Sequence, residues 1–203
     1  MSHGERAELR QRMRAQRLEL SATERIAAAR GVGEQLEALP EFLTDLRIGA
    51  YWAVRGELPL SHALPPLYRR GQIVLLPVLG NAGSLRFSPW LPGQELVANR
   101  FGIPEPEHNP ANEVDPRALD LVLVPLLAFD RRGRRLGSGG GWYDRSFAYL
   151  QVQPRPASTL LVGVGYANQE VPALTAEAHD VTLDFVVTER ELIDCNAAAT
   201  PSA

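Results

Sequence analysis

The chain has 203 residues, 45% of them hydrophobic, and a formal net charge of −3. This length fits one domain, with enough apolar sequence for a core. The negative charge argues against nucleic-acid binding by bulk electrostatics. No run approaches the roughly 18 apolar residues of a membrane helix. We therefore expect one domain over residues 1–195, a disordered tail over 196–203, and neither a nucleic-acid nor a membrane partner.

The single cysteine and the absence of lysine exclude several kinds of bond and catalytic group. The single cysteine, Cys195, excludes an internal disulfide and fits a reducing compartment. The N-terminus has no apolar segment behind a basic start, so we expect no signal peptide and a cytoplasmic location. All 21 basic residues are arginine. A lysine Schiff base, a lysine general base and a Walker-A lysine are therefore excluded.

The first predicted element is a helix over residues 5–20, with an apolar stripe of Leu9, Met13 and Leu20. A basic stripe lies beside it and consists of Arg6, Arg10, Arg14 and Arg17. Such a stripe is usually a solvated face. It can also reach a ligand that lies across the helix, and both readings stay open at this point.

A candidate site residue follows the second helix. Ser21 and Glu24 form a capping-box pattern, which predicts a helix over about 22–38. A short buried strand is expected over 46–52, and Glu57 lies in the turn after it. Ligands of open α/β sheets bind at the carboxyl ends of strands, which makes Glu57 a candidate. The alternative is an ordinary exposed loop glutamate.

The remaining pattern completes an α/β fold. The Pro65–Pro66 pair predicts the start of a short helix. Further strands are predicted at 73–77, 85–90, 119–127, 160–164 and 185–188, the second as an edge or hairpin strand. We expect a long ordered loop over 92–118 and a helix over 143–150. Alternating strands and helices predict a mainly parallel open sheet flanked by helices, a Rossmann-like three-layer single domain.

The most informative segment is the glycine loop, residues 137–141, which holds four glycines and one serine. Glycine lets backbone N–H groups approach an anion closely, and the neighbouring arginines add donors that fit phosphate. Asp144 is placed to hold a metal ion. A flexible turn is the alternative, but Trp142 and Tyr143 follow at once and indicate a loop anchored in packed structure.

These segments together resemble the 5-formyltetrahydrofolate cyclo-ligase family over about residues 5–190. The motif of residues 133–145 carries most of the resemblance, since its glycines, aromatic pair and Asp-Arg ending are specific. Further matching segments are residues 6–10, Tyr51, residues 57–59, Pro77, residues 101–106, residues 179–180 and residues 184–188.

The resemblance implies an ATP-dependent ring closure. Members of this family convert 5-formyltetrahydrofolate to 5,10-methenyltetrahydrofolate with magnesium and release ADP and phosphate. The formyl oxygen is a poor leaving group, and phosphorylation gives an imidate-phosphate that N10 attacks. Phosphoryl transfer depends on positioning and cationic stabilisation rather than on a protein nucleophile, which suits a site of arginines, backbone amides and one magnesium carboxylate without cysteine or lysine.

The resemblance also assigns residues. It implies ATP contacts at Arg6, Arg10, Arg14, Arg134, Arg135, Leu136, Gly137, Ser138, Gly139, Gly140, Gly141, Trp142 and Tyr143. Folate contacts are implied at Trp52, Glu57, Ser138, Gly139, Gly140, Gly141 and Trp142. The magnesium-associated acid is Asp144, and the expected catalytic set is Arg135, Tyr143 and Asp144. The family often has lysine at the first N-terminal position and sometimes within the glycine loop, where this chain has arginine and glycine.

On physical grounds, we expect Trp52 to offer a stacking face for the pterin and Glu57 to accept hydrogen bonds from it or from the formyl side. Tyr143 is expected to shape the formyl site. Three alternatives remain open: a divergent regulatory protein that binds nucleotide and a folate-like ligand without turnover, a sugar-phosphate isomerase, and a nucleic-acid binder that uses the arginine face. The expected oligomeric state is a monomer.

Overall fold

The computed structural model describes residues 1–80 and 83–197 and contains a seven-stranded sheet with two small β-hairpins. In chain order the strands are β1 (Arg47–Gly49), β2 (Ile73–Leu79), β3 (Leu85–Pro89), β4 (Leu96–Ala98), β5 (Pro104–Pro106), β6 (Leu121–Pro125), β7 (Ala128–Phe129), β8 (Arg135–Leu136), β9 (Leu160–Val164), β10 (Phe185–Val187) and β11 (Leu192–Asp194).

The seven-stranded sheet has the order β11-β10-β9-β6-β1-β2-β3. Five central strands run parallel, while β3 and β11 pair antiparallel with their neighbours at the two edges. The predicted mainly parallel α/β sheet is therefore confirmed. The strand over 85–90 is an edge strand and the hairpin partner of β2, also as predicted.

Within the described residues, five α-helices accompany the sheet: α1 (His3–Glu19), α2 (Ala22–Leu36), α3 (Pro40–Thr44), α4 (Leu64–Arg69) and α5 (Trp142–Ser146). Serines open the two long helices, each through a capping box with a glutamate three residues on. The first two predicted helices are confirmed to within two residues at each end. Helix α4 carries the two prolines in its first turn, as predicted. No helix in the described part of the chain is long and apolar enough to span a bilayer.

Apolar layers cover both faces of the sheet, as is usual for a mainly parallel sheet. Leu121 and Leu123 of β6 face one cluster, which includes residues of α2, α3 and α4. Val122 and Val124 face the other cluster, where Phe147 packs after α5. Helix α1 packs separately against the β7–β8 hairpin. The three-layer prediction is thereby confirmed.

Two predicted segments were wrong in detail. Residues 92–118 are not one loop: β4 and β5 form a hairpin with Gly102 at a φ of 71°, and a 3-10 turn spans Pro116–Ala118. The strands are three residues long and rich in turn formers, so they carry no alternation signal. The helix predicted over 143–150 ends at Ser146, where Phe147 leaves helical geometry and a 3-10 segment follows.

The described chain ends at residue 197 and so includes the first two residues of the tail predicted to be disordered, 196–203. Asn196 donates from its backbone N to Asp194 Oδ1 at 2.8 Å. Residues 198–203 lie outside the described residues, and so do residues 81–82.

The strand order creates a crevice between β1 and β6. From β1 the chain continues to β2 on one side, and from β6 it continues to β9 on the other. Ligands of open α/β sheets bind at such a switch point, outside the carboxyl ends of the strands. The turn with Glu57 follows β1, and the glycine loop follows β6 by way of the β7–β8 hairpin.

Candidate active site

A cavity of about 360 Å³ opens at the carboxyl ends of the central strands. Tyr51 follows β1, Pro77 lies in β2, and Pro125 ends β6; all three line the cavity. The volume lies within the range of small-molecule sites. The cavity therefore occupies the crevice that the strand order creates.

The glycine loop forms one wall of this cavity. Gly139 has a φ of 101° and Gly141 a φ of 64°, which are backbone conformations that residues with a Cβ rarely adopt. Gly141 is the N-cap of α5, and Ser138, Gly139 and Gly140 are exposed. Because α5 has only five residues, an anion at this position would depend on the loop amides and on nearby arginines.

Arginines of α1 meet this loop across more than 120 residues of sequence. Arg10 donates from Nε to the Gly137 carbonyl at 3.1 Å, and Arg14 donates from Nη2 to the Ser138 carbonyl at 2.9 Å. Burial lowers the pKa of Arg10, and the neighbouring charges of Arg6 and Arg14 lower it further. The arrangement concentrates positive charge beside the loop, where an anion would relieve the repulsion.

Arg135 and Asp144 form an ion pair at the base of the loop. Arg135 donates from Nη2 to Asp144 Oδ1 at 2.6 Å, and the Val181 N–H donates to the same oxygen at 3.2 Å. Burial lowers the pKa of Arg135, while the charges of Asp144 and Asp180 oppose that effect. The ion pair holds the Arg135 guanidinium and the Asp144 carboxylate next to each other, and both residues line the cavity.

An acidic cluster that also lines the cavity was not predicted as a site from the sequence. One potential ligand atom from each of Glu177, His179 and Asp180 lies within 4.8 Å of the others. Arg6 contacts this cluster, with its Nη2 at 3.2 Å from Asp180 Oδ2 and its Nε at 3.5 Å from Glu177 Oε1. The segment 179–180 was noticed only as part of the family resemblance, since a lone His-Asp pair carries no spacing signal.

The carboxylates around the cavity fit a divalent cation of the magnesium type. Such ions prefer oxygen ligands and are commonly held by one or two carboxylates together with substrate phosphates. Asp144 and Asp180 both line the cavity, and both act electrostatically on the Arg135 guanidinium. The donor chemistry therefore matches magnesium better than a soft metal.

Glu57 lines the same cavity from the turn that follows β1. Its Oε2 accepts from the Val54 N–H at 3.1 Å, which closes the turn before it. Burial raises the pKa of Glu57. The Val54 hydrogen bond and the charges of Arg17 and Arg55 act in the opposite direction. A half-buried carboxylate that lines a cavity offers a strong acceptor to a bound ligand.

Aromatic rings surround this carboxylate. Burial raises the pKa of Tyr143, and the charge of Glu57 contributes to the same shift. Trp52 is 40% exposed, and its ring meets Trp90 edge-on with centroids 5.7 Å apart. Both Tyr143 and Trp52 line the cavity.

The tip of the β4–β5 hairpin, which lies in the segment predicted as a loop, forms another wall of the cavity. Phe101 meets the Trp142 ring at 5.9 Å, and Glu105 accepts from the Asn99 side chain at 2.9 Å. Phe101, Asn99 and Glu105 line the cavity with Ile103. The motif 101–106 was noticed for its resemblance, but its contact with Trp142 depends on the hairpin.

Three residues expected to bind ATP do not line the cavity. Leu136 is fully buried against α1. Arg134 donates from Nη1 to the Leu174 carbonyl at 2.8 Å, and Arg14 reaches only the outer carbonyl of the loop. The other residues expected at the site all line the cavity.

A parallel sheet with a glycine-rich loop and clustered arginines at its switch point defines a phosphate-binding α/β protein. Comparisons with known proteins agree. The model of the 5-formyltetrahydrofolate cyclo-ligase family matches residues 2–189. The 5-formyltetrahydrofolate cyclo-ligase of Haemophilus influenzae is 34% identical, and the alignment covers 90% of this chain and 97% of that protein. The Escherichia coli enzyme is also 34% identical, with 89% and 96% covered.

Solved structures support the same assignment. The 5,10-methenyltetrahydrofolate synthetase of Aquifex aeolicus is 29% identical with a TM-score of 0.79, and covers 98% of this chain and 96% of its own. The synthetase of Mycoplasma pneumoniae has the same fold at a TM-score of 0.70. The chain belongs to the 5-formyltetrahydrofolate cyclo-ligase family. It is an ATP-dependent enzyme that converts 5-formyltetrahydrofolate to 5,10-methenyltetrahydrofolate.

Proposed function

We propose that this conversion proceeds by phosphoryl transfer from ATP to the formyl oxygen, with the phosphates at the glycine loop and the pterin near Glu57. The observation that carries the proposal is the meeting of two distant segments. Arg10 contacts the Gly137 carbonyl at 3.1 Å, and one cavity joins Arg10, the loop, Tyr143 and Glu57. A phosphate donor and a formyl acceptor can therefore occupy adjacent parts of one site.

The chemical steps balance without a protein nucleophile. The formyl oxygen attacks the γ-phosphorus, the bond from that phosphorus to the β-phosphate oxygen breaks, and ADP leaves. N10 then attacks the activated formyl carbon and loses its proton. The carbon–oxygen bond breaks, inorganic phosphate departs with the former formyl oxygen, and the product retains the N5–carbon–N10 bridge.

We assign the cationic side chains to charge stabilisation during phosphoryl transfer. Arg6 and Arg10 line the cavity beside the loop, and Arg135 lies at the loop's base. Arg14 holds the Ser138 carbonyl at 2.9 Å and acts from outside the cavity. The loop amides of residues 137–141 bind phosphate oxygens, since they can approach an anion without Cβ interference. Leu136 and Arg134 support the loop rather than the nucleotide.

We propose that Asp144 holds magnesium, with Asp180 as a second carboxylate on the same side of the cavity. When bound, magnesium supplies charge neutralisation for the phosphates. Asp144 also fixes Arg135 at 2.6 Å. The Arg135 guanidinium is thereby kept toward the loop.

On the substrate side we assign three residues. Trp52 supplies a partly exposed ring face for the pterin or the adjoining aromatic ring of the folate. Glu57 accepts hydrogen bonds from the pterin or the formyl side, and Tyr143, which the Glu57 charge influences, shapes the formyl pocket. Trp142 and Phe101 close the mouth above them.

The phosphorylated intermediate is tested by isotope transfer. 5-Formyltetrahydrofolate carrying 18O in the formyl group is incubated with ATP, magnesium and the enzyme. Inorganic phosphate should then contain the label, and ADP should form in equal amount to the methenyl product. Label that appears in water, with unlabelled phosphate, would exclude transfer to the formyl oxygen. Omission of magnesium should stop product formation.

We further propose that the protein acts as a monomer in the cytoplasm. The one cysteine is buried, and burial raises the pKa of its thiol to about 12, which suits a structural residue in a reducing compartment. Sedimentation at micromolar concentration tests the oligomeric state directly. A dimer would contradict the proposal.

A further inference from the structure

Arg17, the last arginine of the stripe on α1, is separated from the glycine loop and buried. Its side chain is 2% exposed. Nη2 donates to the Arg55 carbonyl at 2.7 Å, while Nε and Nη1 have no hydrogen-bond partner among the described residues. Arg6, which is also buried, contacts two carboxylates. Arg17 has none at ion-pair distance in the described part of the chain.

The carboxylate whose charge acts on Arg17 is Glu57. Burial lowers the pKa of Arg17, and the Glu57 charge is the largest influence in the opposite direction. A buried guanidinium with unpaired N–H groups destabilises a fold unless a counter-charge acts on it. Glu57 provides that charge from the cavity wall. Arg17 thus links the protein interior to a side chain of the active site.

Arg17 also holds the backbone that carries Glu57. The carbonyl it binds belongs to Arg55, a non-glycine residue with a φ of 51° in the turn before Glu57. A second arginine, Arg25 of α2, donates to the Gly56 carbonyl at 3.2 Å and to the Arg17 carbonyl at 2.7 Å. Two guanidinium groups therefore fix this strained turn, and only that of Arg17 acts electrostatically on the Glu57 carboxylate.

We propose that Arg17 is a positioning residue for Glu57: its buried guanidinium holds the Arg55–Glu57 turn and supplies the interior positive charge opposite the substrate-binding carboxylate. The proposal rests on the proposed role of Glu57 as a folate contact. It explains why a charged side chain, with two nitrogens that have no hydrogen-bond partner among the described residues, occupies the interior at this point of the fold.

The expected consequence concerns protonation of Glu57. The groups that face this carboxylate are Arg17 from α1, Arg55 in its own turn, the Val54 N–H, and the phenols of Tyr51 and Tyr143. Arg55 is exposed, so water screens its charge. Loss of the Arg17 charge should therefore favour the protonated carboxyl, which has one fewer acceptor position for the substrate.

The test compares Arg17→Gln and Arg17→Met with the wild-type enzyme. Both variants should raise KM for 5-formyltetrahydrofolate by about tenfold, the loss of roughly one hydrogen bond to a charged group. KM for ATP should change by less than about twofold. The acid limb of kcat/KM for the folate should move to higher pH. Arg17→Lys, which keeps the charge, should restore the acid limb to near its wild-type position.

Arg25→Gln is the matched control because Arg25 holds the same turn without a charge effect on Glu57. It should leave the acid limb at the wild-type pH even if KM rises. An equal shift in Arg25→Gln and Arg17→Gln would mean that the turn geometry, and not the Arg17 charge, controls Glu57. Lower thermal stability of Arg17→Met with unchanged KM and pH profile would reduce Arg17 to a structural role and overturn the proposal.

A measurement without turnover separates this proposal from the role of Glu57. NMR titration of the Glu57 carboxyl carbon should give a higher midpoint in Arg17→Met than in the wild type. An unchanged midpoint refutes the Arg17 proposal, whatever Glu57 does in catalysis. Another outcome is that the midpoint is raised in Arg17→Met while Glu57→Gln keeps the wild-type KM for 5-formyltetrahydrofolate. That pair of results refutes the substrate role of Glu57, and the positioning role of Arg17 falls with it. Arg17→Met is expected to fold, since it removes a buried guanidinium with two nitrogens that have no hydrogen-bond partner among the described residues. If it does not fold, the titration uses Arg17→Gln.

Discussion

At the residue scale, Asp144 makes contacts that the sequence did not predict. It was predicted as a magnesium ligand, and the structure places its Oδ1 against Arg135 at 2.6 Å and the Val181 N–H at 3.2 Å. The side chains of this pair are 5% and 20% exposed for Arg135 and Asp144. Removal of the charge should therefore disturb the arginine as well as any cation bound there.

We predict that Asp144→Asn folds but loses about 10²–10³ in kcat, the usual cost of removing one preorganised charge contact from a transition state. The magnesium concentration for half-maximal rate should rise. Steady-state kinetics over a magnesium titration measures both effects, with Glu34→Gln on the exposed face of α2 as control. A wild-type rate and magnesium response would remove Asp144 from the mechanism.

Glu57 leads to a prediction about stability. Its pKa is raised above the ordinary 4.5, chiefly by burial. The fold thus favours the protonated form, and the associated stability is present below pH about 4.5 and is lost as pH rises through the folded-state pKa. Glu57→Gln removes this dependence.

We therefore predict that Glu57→Gln unfolds at a higher temperature than the wild type at pH 8, and that the difference shrinks toward pH 4. Thermal unfolding followed by circular dichroism at several pH values measures the effect. Glu41→Gln, on the short helix α3 away from the cavity, should show no such trend. A wild-type advantage that grows with pH would contradict the assigned direction of the Glu57 shift.

At the element scale, the glycine loop contains positions with different steric requirements. A Cβ on Gly140 would lie 2.6 Å from Trp142 Cδ1, whereas a Cβ on Gly137 would meet nothing within 4 Å. Neither residue has a positive φ. The two glycines therefore differ in the space available to a side chain, and Gly137 serves as the control position.

We predict that Gly140→Val displaces Trp142 and raises KM for ATP at least tenfold, since the loop amides lose their close approach to phosphate. Gly137→Ala should stay within about twofold of the wild type. Nucleotide binding measured by calorimetry checks both variants. Unchanged ATP affinity in Gly140→Val would place the phosphates elsewhere.

The β4–β5 hairpin is the second element that shapes the site. Its tip brings Phe101 to the Trp142 ring, and the Arg100 guanidinium lies over both rings at 5.1 and 5.8 Å. The sequence motif was visible, but a pair of three-residue strands gives no periodicity that distinguishes it from a loop. This wall of the cavity is a consequence of the turn at Gly102.

At the scale of the whole molecule, one site requires α1 and the segment after β6 to meet. Ligand binding to the native state then stabilises the fold by an amount that depends on both segments. Arg10 is the residue that contacts the loop from within the cavity. Its contribution to ATP binding can be read from thermal shifts without any assay of turnover.

We predict that ATP at about 100 times its Kd stabilises the wild type by about 2.7 kcal/mol, and that Arg10→Gln at the same ATP concentration shows a much smaller thermal shift. Arg30→Gln should keep the wild-type shift, because Arg30 lies on the exposed face of α2 and pairs only with Glu34 in the described structure. Equal shifts in all three proteins would show that α1 does not contact the nucleotide.

The sequence by itself determined the fold class and most of the helix and strand positions. Capping serines, apolar strands and helix-starting prolines are local signals, and local backbone physics sets them. The motif of residues 133–145 determined the family through its glycines, aromatic pair and Asp-Arg ending. Most residues expected at the site line the cavity for the same reason, since the loop is contiguous in sequence.

Only the tertiary structure decided which distant side chains meet. Arg10 and Arg17 lie two turns apart on α1, yet one contacts the glycine loop and the other is buried behind the Glu57 turn. Leu136 belongs to the motif but points into the core, because alternate residues of a strand face opposite sides. The acidic cluster at 177–180 lies beside α1, where Arg6 contacts Glu177 and Asp180. Packing between segments more than 120 residues apart leaves no local signal in the chain.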